Sequence, residues 1–368
     1  MPQEQISGRQ LWFILFMMRS SIIISFFPIL TSAEAGRNAW LSGILVFFGS
    51  EIFIILLNSL DQRFPGQTII EYSPQIIGKI PGKILGLLIL WLFLQISIIE
   101  IRLYGELIIT GFLPETPMLF IIGIMVFASF FCIHNGVEVL GRTADFIFFI
   151  FILILIGIIL TPLKEFNINN LQPVMAQGIK PVLRGTIVPL GLISQVWVIG
   201  ILNAITKKNP KYKYWIPITS IGLSLLLMTI IVFITIGVIG AYEGSRASFP
   251  ILTLMRSIIF THFLERTEII IIFGWGMGLF ISVSTFLYCG ARGIADWFNL
   301  NDYKFLLLPM SIIWIYMSNY SFTNIFTLYK FMSPQIFGPY GLSLLLGPLL
   351  ILWTGYLVKS IYRKIKGW

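Results

Sequence analysis

Long apolar runs separated by short polar segments dominate the chain along its whole length. Most runs hold about 20 residues, the length that an α-helix needs to cross the hydrocarbon core of a bilayer. The pattern therefore predicts an all-α integral membrane protein with about ten transmembrane helices. The predicted spans cover residues 11–31, 39–60, 84–112, 118–133, 144–163, 182–205, 215–241, 269–289, 305–320 and 340–360.

Composition supports the same class of protein. Of the 368 residues, 57% are hydrophobic and only 11% are charged, whereas a soluble domain carries about 25% charged residues. So few charges cannot cover a soluble surface. We therefore expect a single membrane domain over residues 1–368.

The net charge of +9 comes from basic residues in the short segments between the spans. Lys and Arg are more frequent in the segments on the side of the N-terminus, and cytoplasmic loops carry such an excess. Both termini are therefore predicted to be cytoplasmic, and no nucleic acid is expected to bind. The densest cluster, TKKNPKYKYW at 206–215, is predicted to anchor the topology against anionic membrane lipid, or to dock a cytosolic partner.

The first predicted span contains the stretch FMMRSSIIISFFPIL at residues 16–30. Arg19 would lie about 12 Å into the membrane by helical rise, where a charge needs a partner or water. Ser20 and Ser21 compete with the backbone for hydrogen bonds, and Pro28 removes one backbone donor. These residues predict a discontinuous helix whose freed backbone groups line a cavity.

The sixth predicted span contains a matching interruption. In TIVPLGLISQVW at 186–197, Pro189 and Gly191 fall near the expected midplane. Interrupted spans at equivalent places in two halves are typical of transporters with inverted repeats. The pair predicts a five-plus-five inverted repeat (1–165 and 178–368) with broken first and sixth helices, whose half-helix N-termini suit a carboxylate. Alternatively, Pro and Gly are simply commoner in membrane helices.

The third predicted span carries ionisable side chains in LQISIIEIRLYGELII at 94–109. Glu100 and Tyr104 are four residues apart and share a helix face, as do Arg102 and Glu106 on a roughly opposite face. We predict a local ion pair between Arg102 and Glu106, which leaves Glu100 free for other contacts.

Further polar residues complete a predicted ligand site. Glu100 is expected to face the cavity and balance Arg19, directly or through water, with Gln95 as the alternative partner and a packing role as the other possibility. Ser284 and Thr285 of the eighth span would contact a ligand or bond to their own backbone. The predicted ligand-binding residues are Arg19, Ser20, Ser21, Glu100, Tyr104, Pro189, Gly191, Ser284 and Thr285.

Catalytic chemistry and cofactors are not expected. The two cysteines, Cys132 and Cys289, and the two histidines, His134 and His262, stand apart from one another without ligand-like spacing. No nucleophile and base occur at a readable spacing. The sequence therefore predicts neither an enzyme nor a metal site.

A family resemblance is carried by dispersed segments: ISGRQLWFILF at 6–16, FPGQTIIEYSPQIIGKIPGKILG at 64–86, FLPETP at 112–117, GVEVLGRTADF at 136–146, and FPILTLMRSI with FLERTEIIIIFGW within 249–275. By the order and spacing of these segments the chain resembles the spore germination permease family, the multi-spanning subunit of endospore nutrient-germinant receptors. That family belongs to the amino acid–polyamine–organocation superfamily, so the resemblance implies a LeuT-like fold.

The resemblance also implies a function. It indicates a nutrient-sensing subunit in the inner spore membrane or the bacterial cell membrane, which binds a small nutrient such as an amino acid in a transporter-like cavity and triggers germination. The implied partners are a larger membrane subunit and a lipoprotein. Relatives usually have glycines where this chain has Arg19, Ser20 and Ser21, so the site would be narrower, prefer an anionic ligand, or use Arg19 in place of a bound cation.

Two other functions remain open at the level of sequence. The chain could be a secondary active amino-acid transporter that works by alternating access, since fold alone does not fix function. It could also be a scaffold for assembly that binds no ligand.

Overall fold

The computed structural model describes residues 4–207, 214–257 and 268–365, without the side chains at 22–25, 268–271 and 363–365. The helices are α1 Gly8–Ala35, α2 Ala39–Asp61, α3 Ile69–Ile77, α4 Lys79–Gly111, α5 Met118–His134, α6 Val137–Leu160, α7 Lys180–Gly191, α8 Ile199–Ile205, α9 Trp215–Arg246, α10 Pro250–Arg256, α11 Glu268–Phe298, α12 Lys304–Tyr320, α13 Ile325–Phe331 and α14 Phe337–Ile365. Short 3-10 segments occupy Gly36–Asn38, Thr161–Glu165, Ile168–Leu171 and Leu192–Val198.

The helices reproduce the predicted spans. Each of the ten spans overlaps one long helix or, for the sixth, the α7–α8 pair. Within the described residues, seven helical segments are long and apolar enough to cross a membrane, or eight if the bent pair α12–α13 forms one span. One of the seven, Phe26–Asp61, joins the end of α1 to α2, and the apolar α5 is shorter, at 17 residues. The predicted class, an all-α integral membrane protein, is confirmed.

Two predicted features lie partly outside this description. In the basic cluster at 206–215, residues 208–213 are not described, and neither are residues 258–267 of the last segment that carries the family resemblance.

Side-chain caps set where α1 and α3 begin. The Ser7 hydroxyl accepts a hydrogen bond from the backbone N–H of Gln10 at 3.2 Å, and the Gln10 side chain accepts one from the Ser7 N–H at 2.9 Å. Before α3, the Thr68 N–H donates to Glu71 Oε2 at 2.7 Å, and the Thr68 hydroxyl donates to Asp296 Oδ2 at 2.8 Å. The reciprocal pair of Ser7 and Gln10 satisfies free N–H groups of a first turn, so it fixes the depth at which α1 enters the bundle.

Helix α1 lies in the centre of the molecule. It packs against α9, α11, α7 and α6, and every residue from 14 to 21 is buried. A polar side chain in this stretch has no route to water along the helix surface. Arg19 must therefore find its partners inside the protein.

The sixth span is interrupted as predicted, but the first is not. The α-helical pattern of α7 ends at Gly191, a 3-10 segment covers Leu192–Val198, and α8 resumes at Ile199. Helix α1 is continuous over Gly8–Ala35, so the break predicted at Arg19, Ser20 and Ser21 is wrong.

The serine hydroxyls explain why α1 does not open. Ser21 donates a hydrogen bond to the carbonyl oxygen of Met18 at 3.0 Å, one turn earlier in the same helix. Ser20 shares a hydrogen bond with Ser224 of α9 at 3.0 Å. Because both hydroxyls find partners without displacing a backbone bond, the helix keeps its regular pattern.

Candidate ligand-binding site

The buried guanidinium of Arg19 is held by the interrupted sixth span. Its Nη1 atom donates to the carbonyl oxygen of Leu192 at 3.3 Å and to Oε1 of Gln195 at 3.1 Å. Both partners belong to the 3-10 segment, where intrahelical hydrogen bonds have poorer geometry than in an α-helix. The Leu192 carbonyl can therefore serve the side chain of another helix.

Gln195 links Arg19 to Glu100. The Gln195 Nε2 atom donates to Glu100 Oε1 at 3.2 Å, and Glu100 is only 1% exposed. The two opposite charges thus meet through an amide side chain, rather than directly or through water as the sequence suggested. Gln95, the alternative partner, instead accepts a hydrogen bond from the hydroxyl of Tyr340.

Several atoms of this cluster have unused hydrogen-bonding capacity. Arg19 Nε, Arg19 Nη2 and Glu100 Oε2 are buried and have no hydrogen-bond partner within the described part of the chain. Nε and Nη2 form one edge of the guanidinium, whose parallel N–H groups match the two oxygens of a carboxylate. Buried polar atoms without partners are costly, so the arrangement favours a polar ligand or ordered water.

Helix α11 carries further buried hydroxyl groups. The Ser282 hydroxyl lies near the Glu100 carboxylate, but it makes no hydrogen bond of good geometry with any residue that the structure describes. Ser284 is also buried, and its hydroxyl has no partner among the residues that the structure describes. Thr285 differs, because its hydroxyl donates to the carbonyl oxygen of Ile281 at 2.7 Å.

Tyr104 lies one helical turn beyond Glu100 on α4. Its ring meets that of Trp275 edge to face, with the centroids 5.7 Å apart. A Cβ atom on Gly276 would come within 3.3 Å of the Tyr104 hydroxyl. The indole of Trp275 also contacts Phe26 of α1, with the centroids 5.8 Å apart. Tyr104 therefore belongs to an aromatic cluster that borders the polar site.

Pro189 and Gly191 lie where α7 packs against α14. Pro189 is buried in the last turn of α7. A Cβ atom on Gly191 would lie 3.2 Å from the Cα atom of Gly341. Small residues allow membrane helices to approach this closely. A ligand contact at these two residues stays a prediction, and the structure shows Gly191 in a close helix contact directly before the 3-10 segment.

Replacing Gly191 with alanine is expected to lower the free energy of unfolding by about 1–3 kcal/mol, because the new methyl group overpacks against Gly341. The measurement is the thermal unfolding of the purified protein. Gly157→Ala on α6 is the matched control, since a Cβ atom there meets nothing within 4 Å. Equal melting temperatures for the two variants would contradict this account of the contact.

The predicted ion pair of α4 is confirmed. Arg102 Nη2 lies 2.6 Å from Glu106 Oε1, and both side chains are largely buried. Arg102 Nη1 also donates to the carbonyl oxygen of Asn319 at 2.8 Å. Arg102 therefore connects α4 to the end of α12 while it pairs with Glu106. This ion pair is separate from the Arg19 cluster.

Two sizeable cavities lie away from the Arg19 cluster. One of about 530 Å³ is apolar and is lined by residues of α4, α11 and α12. The other, about 850 Å³, lies near the start of α1 and is lined by Glu4, Thr68, Tyr288, Arg292 and Tyr303, among others. Neither cavity is lined by a predicted ligand-binding residue.

Sequence reasoning missed Gln195 and Ser282. Gln195 follows Gly191 by four residues in the same interrupted stretch. Its position as a polar residue just after a predicted break could have identified it as a site residue. Ser282 carries no signal beyond its position in the hydroxyl-rich segment of α11. Among the described residues, no three His, Cys, Asp or Glu side chains come together in a group that could hold a metal ion.

The bundle of long apolar helices around a buried polar centre defines an α-helical membrane protein with several spans. The solved structure of Mhp1, a nucleobase-cation-symport-1 family transporter in a closed conformation with bromovinylhydantoin bound, matches 93% of this chain and 78% of that chain. The TM-score is 0.69 at 13% sequence identity, which establishes the likeness in fold.

The family follows from sequence comparison. Residues 5–325 match the family model described as spore germination protein, and the chain belongs to this spore germination permease family. Spore germination protein KB of Bacillus subtilis (strain 168) is 27% identical over 321 residues, which cover 85% of this chain and 84% of that protein. Spore germination protein YndE of the same organism is 27% identical over 316 residues, covering 85% and 87%. Spore germination protein GerQB of Bacillus cereus is 20% identical over 325 residues, covering 88% of each.

Proposed function

We propose that this chain is a nutrient-sensing subunit of a spore germinant receptor and that it binds a small zwitterion such as an amino acid. One observation carries the proposal: the free guanidinium edge of Arg19 lies in the same buried cluster as the free carboxylate oxygen of Glu100. A group of each charge is thus available within one site.

The two ends of an amino acid fit these groups. Its carboxylate would accept hydrogen bonds from Arg19 Nε and Nη2, and its ammonium would donate to Glu100 Oε2, with Ser282 and Ser284 as further partners. Gln195 holds Arg19 and Glu100 apart, which leaves both free for the ligand. This assignment keeps Arg19, Glu100 and Ser284 from the predicted set as direct contacts.

Ligand binding would act on both halves of the protein. We take 1–165 and 178–368 as the two five-helix repeats, so that α1 and the α7–α8 pair are their first members. A ligand bound between Arg19 and the 3-10 segment would favour one arrangement of these helices over another. That change is the proposed trigger of germination.

Membership of the family supports a proposal for the cellular setting. We place the chain in the inner spore membrane or the bacterial cell membrane, with both termini in the cytoplasm as the basic segments predict. A larger membrane subunit and a lipoprotein would be its partners in the receptor.

A secondary active amino-acid transporter is the second candidate, favoured by the likeness in fold to a symport-family transporter. Ion-driven amino-acid uptake into proteoliposomes that contain this chain alone would support it. A sensor that does not transport would bind the amino acid without accumulating it.

Thermal-shift screening of the purified protein tests the proposed ligand class. Neutral amino acids are compared with their carboxamides, which lack the carboxylate, and with their N-acetyl derivatives, which lack the ammonium. At about 100 times the Kd a ligand stabilises the folded state by about 2.7 kcal/mol. We expect a shift for at least one free amino acid and little for its derivatives. Equal shifts for all three forms, or none for any amino acid, would reject the proposal.

A further inference from the structure

Another membrane-embedded carboxyl group, on α2, lies outside the proposed ligand site. Glu51 is ten residues before the end of α2, about 15 Å by helical rise. Its neighbours Phe48 and Ile52 are exposed on the apolar face of the bundle. Both carboxyl oxygens of Glu51 are nevertheless buried and have no hydrogen-bond partner in the described part of the molecule. The carboxyl group therefore points into the protein, although its neighbours on α2 face the lipid.

Helix α9 makes room for this group at Gly222. A Cβ atom on Gly222 would lie only 2.6 Å from Glu51 Oε1 and 3.5 Å from the ring of Phe47. Any larger residue would have to displace the carboxyl group. The absence of a side chain at Gly222 thus creates the space in which the Glu51 carboxyl group lies between α2 and α9.

No charge of the described residues neutralises Glu51. The elements that pack on α2 are α1, α7, α8, α9, α14 and the 3-10 turn before α2. Their titratable groups with described side chains are Arg9, Arg19, Glu34, Arg37, Lys180, Arg184, Tyr242, Glu243, Arg246, Tyr340, Tyr356, Lys359 and Tyr362, and α2 itself adds Asp61. None of them forms a hydrogen bond or an ion pair with Glu51. Arg19 is instead held by Gln195 and Leu192.

An ionised carboxylate without a partner is costly inside a membrane, whereas the neutral acid is tolerated. We propose that Glu51 is a proton-binding site, which holds a proton as a neutral carboxylic acid between α2 and α9 in this conformation. Movement of α9 away from α2 would admit water to the carboxyl group and release the proton to it. The ligand of this site is a proton, and the site is separate from the nutrient site proposed above.

Infrared spectroscopy of the purified full chain at near-neutral pH tests this site. The neutral carboxyl group has a C=O stretching band distinct from the carboxylate and amide bands. The difference between wild type and Glu51→Gln is expected to show one neutral carboxyl band that shifts in D₂O. Glu115→Gln is the matched control, because Glu115 is exposed in a loop and its loss should remove carboxylate intensity instead.

Either of two results would overturn the proposal: an unchanged carboxyl region in Glu51→Gln, or the loss of a carboxylate band. Glu51→Gln is isosteric with the neutral acid and is expected to fold. If it does not, Glu51→Asp serves instead, because it should shift the frequency of the same band while a site without a proton would leave that region unchanged.

Discussion

Replacing Arg19 with glutamine is expected to weaken the binding of a neutral amino acid by roughly 30-fold or more, since losing one partner of a buried charge pair costs about 2–5 kcal/mol. The variant removes the guanidinium edge that would receive the ligand carboxylate and leaves Glu100 without a counter-charge. Titration calorimetry or thermal shifts on the purified protein, using an amino acid that stabilises the wild type, measure the effect.

Two further variants separate geometry from charge. Arg19→Lys keeps the positive charge but lacks the planar pair of donors, so we expect it to bind poorly as well. Arg142→Gln removes an exposed arginine and should leave binding unchanged. Wild-type affinity in a folded Arg19→Gln protein would show that the ligand binds elsewhere, for example in the cavity near Glu4 and Tyr303.

Replacing Glu106 with alanine is expected to lower the free energy of unfolding by about 3–5 kcal/mol, because the buried charge of Arg102 loses its counter-ion. Arg102 would keep its hydrogen bond to the Asn319 carbonyl oxygen, which offsets only part of the loss. Thermal unfolding in detergent, followed by tryptophan fluorescence, provides the measurement.

The double variant Arg102→Leu with Glu106→Leu controls for the buried charge. Removing both ions leaves no uncompensated charge, and such replacements are often neutral. We therefore expect the double variant to be clearly more stable than Glu106→Ala. If Glu106→Ala matched the wild type in stability, Glu106 would not be the group that compensates the buried charge of Arg102.

The sequence located helices and local contacts well because both depend on nearby residues. Runs of about 20 apolar residues place the spans, since the bilayer sets the length of a helix that must satisfy its own backbone. The pair between Arg102 and Glu106 followed from their spacing of four residues on one helix. The burial of Arg19 followed from its position in the middle of an apolar run.

Contacts between distant residues could not be found in this way. Gln195 is 176 residues from Arg19 in sequence, and only the packing of α1 against the sixth span brings them together. The continuity of α1 depends partly on Ser224, which is 204 residues from Ser20. The close approach of Gly341 to Gly191 is a further contact between residues distant in sequence. The charged residues of the site could be identified from the sequence, whereas their hydrogen-bond partners could be identified only from the fold.

The most direct measurement is an electron cryomicroscopy structure of the protein with the amino acid that stabilises it most. We predict ligand density between α1 and the 3-10 segment, with the carboxylate within hydrogen-bond distance of both Arg19 Nε and Arg19 Nη2 and the ammonium facing Glu100 Oε2. Density for the amino acid at any other place, with the Arg19 edge unliganded, would contradict the account.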